Sequence, residues 1–305
     1  MNAKIEKIFW GISDKLSFIL DTMCRRLKKI PDKYLAVGAI IKNEGPYIKE
    51  WLDFHIAMGV ECFYLYDNNS TDDTRKILAP YISEGKVFYH KIGGKQRQRR
   101  AYNQIAKLYS SNTFWIAYID ADEFLYCMPK DGKKIDLKDF LKGYEDYNGV
   151  GVNWLMFGTS GNKTKPEGNV VDNYTRCIYD YEPNLHIKTI ANAKKVKLFY
   201  NTPHTCEFID GNPAVDENKE LLLGNEEIDI EQKKSFSKKL NVNKIVLNHY
   251  YTKSEKEFFE RCHKGKASGS LDPMELYNNW MNMENSSEFV DNFVARDLIR
   301  QSIDE

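Results

Sequence analysis

No apolar run in this chain approaches the roughly 20 residues that a membrane-spanning helix needs. Charged residues interrupt every apolar stretch, the first 30 residues included, so the start of the chain does not read as a secretory leader. An excess of either charge is missing too. Lys and Arg total 44 and Asp and Glu total 44, so no overall field favours nucleic acid, and no nucleic-acid partner is expected. Cysteine is scarce: Cys24, Cys62, Cys127, Cys177, Cys206 and Cys262 are scattered, with no Cys-x-x-Cys pair. Neither a zinc site nor a disulfide framework is indicated, and reduced cytosolic thiols are the default. Internal repeats and low-complexity segments are absent. A length of 305 residues allows one large domain or two small ones.

Aromatic residues are plentiful, with 19 Tyr, 16 Phe and 5 Trp. Most aromatics build cores, although their faces also suit sugars and nucleobases. The most informative stretch runs from Phe114 to Phe124. Its apolar first half reads as a strand buried on both faces. It ends in Asp120-Ala121-Asp122-Glu123, three carboxylates that repel one another and lose hydration. A divalent cation would relieve that; hard oxygen ligands suit Mg²⁺ or Mn²⁺. The alternative is an acidic turn with Asp122 and Glu123 in solvent.

Three segments follow from the patterning. Residues 1–33 hold an amphipathic helix over 3–30, with Ile5, Phe9, Ile12, Leu16, Ile19, Met23 and Leu27 on one face. Its basic residues exceed its acidic ones, and Pro31 stops it. Such a helix packs on its own domain, forms a homodimer, or lies on an anionic membrane surface. Residues 34–253 begin as alternating strand and helix: strands at Tyr34–Ile41, Glu61–Tyr66 and Lys86–Ile92, then the strand leading to Asp120. This order implies an α/β fold with a Rossmann-like, mostly parallel sheet and a ligand at its carboxyl edge. His55 reads as a core histidine. Further strands are expected at Val150–Phe157, Ala193–Tyr200 and Lys244–Asn248, with an exposed loop over 210–240. Residues 254–305 read as helical to the end.

Four polar loops fall at the ends of the first four strands: Lys42–Gly45, with Asn43 and Glu44; Asp67–Thr74; Gly93–Arg100; and Asp120–Glu123. Asp67 suits a nucleobase N–H, or equally an Asx-turn capping the next helix. Lys95, Arg97, Arg99 and Arg100 suit phosphate, or a solvated basic helix start. A metal beside phosphate-neutralising groups suggests a nucleoside diphosphate leaving group.

Ile40-Ile-Lys-Asn-Glu44, Glu50-Trp-Leu-Asp-Phe-His55, Tyr66-Asp-Asn-Asn-Ser-Thr-Asp-Asp-Thr74 and Asp120-Ala-Asp-Glu-Phe124 resemble family 2-type glycosyltransferases of the GT-A fold. Trp154-Leu-Met-Phe-Gly-Thr-Ser-Gly161 and Leu247-Asn-His-Tyr-Tyr-Thr-Lys-Ser254 narrow the resemblance to glycosyltransferase family 92, the former domain of unknown function 23, and its bacterial relatives. It covers about residues 36–270. It implies metal-dependent, inverting transfer of a sugar from a nucleotide sugar to a glycan or lipid-linked glycan acceptor. The implied setting is surface-polysaccharide assembly, cytoplasmic and peripheral on the inner face of the cell membrane. By that resemblance Asp67 meets the base, uracil for a UDP-sugar, and Asp120 and Asp122 hold ribose and Mn²⁺ or Mg²⁺. Trp154 and Gly158 lie in the segment lining the sugar pocket. His249 completes the metal shell, and Lys253 and Ser254, at the start of a helix, reach the diphosphate. Asn68 and Asn69 depart from the common family 2 pattern.

Inversion needs a base for the acceptor hydroxyl. Asp180, Glu182, Glu207 and Asp210 are candidates, with Glu207 preferred. A nucleotidyltransferase acting on a sugar phosphate, and a non-catalytic glycan-assembly protein with a vestigial site, are the competing functions.

Overall fold

The computed structural model describes residues 33–224, 233–264, 272–285 and 288–304. The amphipathic segment 3–30, with the membrane-surface or homodimer role expected of it, lies outside them.

The described residues open with β1 (Lys33–Ile41), α1 (Ile48–Ala57), β2 (Cys62–Asp67), α2 (Thr74–Ser83), β3 (Val87–Lys91), α3 (Gln98–Tyr109) and β4 (Thr113–Tyr118). β1 pairs in parallel with both β2 and β4, and β2 with β3, giving the order β4-β1-β2-β3. All four strands therefore end on one edge. Successive side chains serve opposite faces, as a period of two requires. Leu35, Val37, Phe63, Leu65 and Trp115 pack with Trp51, Leu52 and Phe54 of α1. Ala36, Tyr64, Ile116 and Tyr118 pack with Tyr102, Ile105 and Tyr109 of α3. Gly38 interrupts β1 for a steric reason: a Cβ there would lie 3.2 Å from the Ile105 side chain, so its absence lets α3 settle close to the sheet.

His55 is the core histidine that its setting in α1 implied. Its Nδ1–H donates to the Trp51 carbonyl at 2.7 Å, and its Nε2 accepts from the Leu125 amide at 3.1 Å. Burial, opposed by the bond to Trp51, pushes its pKa down to about 4.

The chain continues through β5 (Glu123–Cys127), α4 (Leu137–Lys142), β6 (Gly149–Phe157), α5 (Val170–Asn173), β7 (Arg176–Ile178), β8 (Ile187–Asn192), β9 (Val196–Leu198) and β10 (Glu207–Phe208). β11 (Ile245–His249), α6 (Glu255–Lys264), α7 (Pro273–Glu284), β12 (Val290–Asp291) and α8 (Val294–Asp304) complete it. β8 inserts antiparallel between β4 and β6, extending the parallel core. β6 changes partner along its length. Gly149–Asn153 pair with β8, while Trp154–Met156 pair in parallel with β11. β11 also runs antiparallel to β5, with His249 opposite Glu123. Met156, Ile178, Phe258, Trp280 and Phe289 fasten α6 and α7 to this end of the sheet.

Two expectations for the second half need correction. The strand expected over Ala193–Tyr200 is instead a turn, in which the Lys195 amide bonds the Asn192 carbonyl, followed by β9, which among the described residues pairs only with β10. The central strand is β8, just upstream. The described part of 210–240 is not simply exposed. Glu217 is buried because its carboxylate accepts the backbone amides of Asn243, Lys244 and Ile245 and so starts β11. The described C-terminal residues form α6, α7 and α8, together with β12, which pairs with β7.

Candidate functional site

The loops after β1 and β2 are laced together. The Ser70 Oγ accepts from the Asn43 amide at 2.9 Å, Asn43 Oδ1 accepts from the Thr71 amide at 2.8 Å, and Asp72 Oδ2 accepts from the Gly45 amide at 2.9 Å. Asn43 thus braces two loops, in a left-handed conformation with φ of 57°. Asp67 is buried at the end of β2. Its Oδ1 accepts from the Ser70 amide at 2.7 Å, the Asx-turn geometry, and its Oδ2 accepts from the Tyr89 hydroxyl at 2.6 Å. Each oxygen keeps a lone pair for a further donor. Arg97 is folded inward, its Nε donating to the Gly93 carbonyl at 2.8 Å, and its guanidinium fills the space a Cβ on Gly94 would need. Lys95 is exposed on the same loop.

Asp120 and Glu123 share a buried cation that the sequence did not reveal. Lys188, on β8, is 1% exposed; its Nζ lies 2.8 Å from Asp120 Oδ2 and 3.6 Å from Glu123 Oε1. Gln98 Nε2 and the Tyr102 hydroxyl donate to Asp120 Oδ1, at 2.5 and 3.2 Å. Glu123, fully buried, accepts from the Asp120 amide at 2.8 Å and from Trp154 Nε1 at 2.7 Å. It is therefore no solvated acidic-turn residue. Burial raises its pKa to about 8, with Lys188 opposing and Asp120 and Asp122 adding to the rise. Burial disfavours the Lys188 ammonium, but Asp120 and then Glu123 more than offset this and hold it charged.

Asp122 faces the other way, toward β11 and α6. Its Oδ2 lies 2.7 Å from Arg261 Nη1 and 3.6 Å from His249 Nε2. Burial works against its ionisation, yet Arg261, His249 and Lys253 together hold the carboxyl well below the usual carboxylate range. Glu44 stands in the same field. Burial pushes its pKa up, and Lys253 and Arg261 oppose the rise. Lys253, with φ of 53°, lays its ammonium 3.8 Å over the Tyr47 ring.

Ser254 does not reach out to a diphosphate as expected. Its hydroxyl donates to Glu257 Oε2 at 2.6 Å, while Glu257 accepts from the Ser254 amide and donates its own amide to the Ser254 hydroxyl, a reciprocal capping box. The carbonyls of Asn162 and Lys163 take the amides of Glu255 and Lys256. The first-turn donors of α6 are spent within the protein, which leaves no helix terminus for an anion.

Trp154 stands between the two halves of the site. Its ring centre lies 4.4 Å from that of His249, 4.8 Å from that of His186 in a stacked arrangement, and 5.1 Å from that of His204. The Ile187 carbonyl can only accept, so the 3.2 Å contact to His204 Nδ1 places the proton there and leaves Nε2 with its lone pair. Burial first, then Lys188 and His186, holds His204 neutral, well below the ordinary histidine range. Gly158 has a packing role. A Cβ there would come 2.6 Å from the Glu284 side chain, whose carboxylate accepts from the Thr159 hydroxyl, the Ser160 amide and Trp280 Nε1. Glu207 is not brought into this group. It is paired with Lys197 at 3.2 Å and lines an open cavity of about 480 Å³ with Tyr200, Thr202, Phe208, Leu222 and Leu223. Asp180, Glu182 and Asp210 are exposed, and Asp210 is tied to Asn148 and Asn212.

The residues fit a divalent cation in part. Among the described residues no three His, Cys, Asp or Glu side chains converge on one point. Asp120 is committed to Lys188, Gln98 and Tyr102. Asp122 Oδ2 and His249 Nε2 lie 3.6 Å apart and could offer an ion one oxygen and one nitrogen; the buried His249 Nδ1, which has no hydrogen-bond partner among the described residues, is the other nitrogen of the ring. Two protein ligands are enough for a Mg²⁺- or Mn²⁺-type ion that takes its remaining ligands from phosphate and water.

Acidic, imidazole and cationic groups are gathered beyond the ends of parallel strands, the place where an open α/β sheet can hold a ligand. The chain is a member of glycosyltransferase family 92, whose family model matches residues 42–292. It is 27% identical over 197 residues to a family 92 protein of Ricinus communis, covering 63% of this chain and 34% of that one. A family 92 protein of Arabidopsis thaliana is 27% identical over 200 residues, with the same coverage of both chains. The chain thus spans about a third of the length of these curated relatives. Among solved structures, residues 1–349 of S. aureus TarS align with 82% of this chain and 71% of that one, at 14% identity and a TM-score of 0.38. The same protein in complex with UDP-GlcNAc aligns at 12% identity and a TM-score of 0.36, covering 84% and 73%. Both are distant likenesses.

Proposed function

We propose that the protein is a metal-dependent, inverting glycosyltransferase that takes its sugar from a UDP-sugar and passes it to a glycan or lipid-linked glycan. The observation that carries this reading is the meeting of Asp122, His249, Arg261, Glu44 and Lys253 beyond the carboxyl ends of β1 and β4. Family membership over 42–292 supports it. Asp67 receives the base, in a loop already braced by Asn43. Asp120, held by Lys188 and Gln98, faces the ribose, and Lys253 approaches the diphosphate. Mn²⁺ or Mg²⁺ at Asp122 and His249 would supply charge neutralisation for the departing diphosphate.

Transfer forms a bond from the acceptor oxygen to the anomeric carbon, breaks the bond from that carbon to phosphate, and releases the acceptor proton. His204 is better placed than Glu207 to accept that proton. It is a neutral imidazole against Trp154, whereas Glu207 is paired with Lys197 outside the cluster.

Calorimetry with UDP tests the donor site. Binding should require Mn²⁺ or Mg²⁺ and should fall at least about tenfold in Asp122→Asn. Equal UDP affinity in the presence of a chelator would refute metal dependence. Consumption of a nucleoside triphosphate with release of pyrophosphate would favour a nucleotidyltransferase.

A further inference from the structure

Arg261 is bound where a metal would act. Its Nη1 lies 2.7 Å from Asp122 Oδ2 and donates to the Tyr251 carbonyl at 3.0 Å. Its guanidinium carbon sits 4.2 Å over the Tyr251 ring. The oxygen it holds is the same Oδ2 that lies 3.6 Å from His249 Nε2, so the guanidinium and a divalent ion claim one atom. The Arg261 side chain is 44% exposed, against 14% for Asp122. The arginine can therefore swing into solvent, while the carboxylate is fixed in the protein. Nη1 is the only nitrogen of this side chain with a hydrogen-bond partner among the described residues. The rest of its planar fork, which matches a phosphate in geometry, is uncommitted.

We propose that Arg261 is the resident counter-cation of Asp122, that a divalent cation displaces it, and that the released guanidinium then pairs with the diphosphate of the donor. The inference rests on the donor-site reading above. It makes one side chain act with opposite signs on two ligands. Arg261 opposes metal binding in the absence of nucleotide, because the ion must break its pair with Asp122. Once the ion is in place, Arg261 favours the nucleotide. A residue that merely supported the local fold would, on removal, weaken both ligands together.

The test uses the full chain, MnCl₂ alone and UDP at saturating Mn²⁺, with affinities from calorimetry and Mn²⁺ occupancy from electron paramagnetic resonance. Arg261→Gln should bind Mn²⁺ alone about tenfold more tightly, equivalent to about 1.4 kcal/mol, and should bind UDP at saturating Mn²⁺ about tenfold more weakly. Arg261→Lys keeps the charge without the fork. Its Mn²⁺ affinity should stay near that of the wild type, and its UDP affinity should be only partly restored. Unchanged or weaker Mn²⁺ binding in Arg261→Gln overturns the displacement. Unchanged or tighter UDP binding in that variant overturns the role toward diphosphate. A wild type that binds both ligands while the variants fail these signs refutes this inference alone. A wild type that binds neither Mn²⁺ nor UDP overturns the donor-site reading together with it.

Discussion

Replacing Lys188 by methionine should leave the packing nearly intact and the electrostatics badly out of balance. The side chain is 1% exposed and serves two carboxylates, Asp120 at 2.8 Å and Glu123 at 3.6 Å. Removing one member of a buried ion pair strands the other and costs about 3–5 kcal/mol. That is a large part of the roughly 5–15 kcal/mol that holds a domain folded. Urea denaturation at pH 7 should therefore show Lys188→Met destabilised by about that amount. At pH 7 Glu123 is already largely protonated, so adding Glu123→Gln should recover little there; at pH 9, where the wild-type carboxylate is charged, the double variant should recover about 2 kcal/mol relative to additivity. The pH dependence has a definite sign. The Glu123 pKa is raised to about 8 in the folded protein, above its ordinary value of 4.5. Its contribution to stability is thus fully present below about 4.5 and is lost as pH rises through about 8. Without Lys188 the folded value rises further, so the deficit of Lys188→Met should shrink toward pH 5 and grow toward pH 9. A loss below about 1 kcal/mol that does not change with pH would refute the idea that these carboxylates depend on Lys188.

His204→Gln should lower kcat for sugar transfer by about 10²-fold or more while leaving UDP affinity unchanged; a kcat within a few-fold of wild type would remove His204 from the chemistry. His55 titrates at about 4 when folded, against an ordinary 6.5. Its stabilising contribution is therefore complete above 6.5 and is lost as pH falls toward 4, up to about 3 kcal/mol. His55→Gln should flatten the fall in urea midpoint between pH 7 and pH 4.5, and equal falls in both proteins would refute the assignment.

The parallel core was legible in the sequence because its strands are unbroken apolar runs, each closed by a polar loop. The end of β4 at the Asp120 cluster followed from the same contrast. β8 is not legible, because Lys188 breaks the run Ile187-Lys-Thr-Ile-Ala-Asn and the apolar pattern resumes downstream. The same break conceals the cation on Asp120. A single lysine inside a β-branched run is the available signal, since such a lysine either faces solvent or, when buried, needs a charged partner. Arg261 and His204 depend on contacts spanning tens to hundreds of residues, which local patterning cannot convey. The expectation for Ser254 fails for the opposite reason. Its capping box with Glu257 is a local pattern, and the spacing Ser-Glu-Lys-Glu stated it directly.

The position of β11 has a consequence for how a chain made from its N-terminus becomes competent. β1 to β4 are neighbours in sequence and can pair as soon as residue 118 is available. The partner that β5 holds in register, with His249 opposite Glu123, arrives more than 120 residues later, and Arg261 later still. Until then Asp122 sits just before β5, a strand still without its β11 partner, and its charge is unopposed by His249 or Arg261. Long-range pairings of this kind close slowly, because loop entropy is lost before contacts are gained. A nascent chain therefore carries a folded core well before it carries the Asp122–His249–Arg261 cluster proposed to hold the donor.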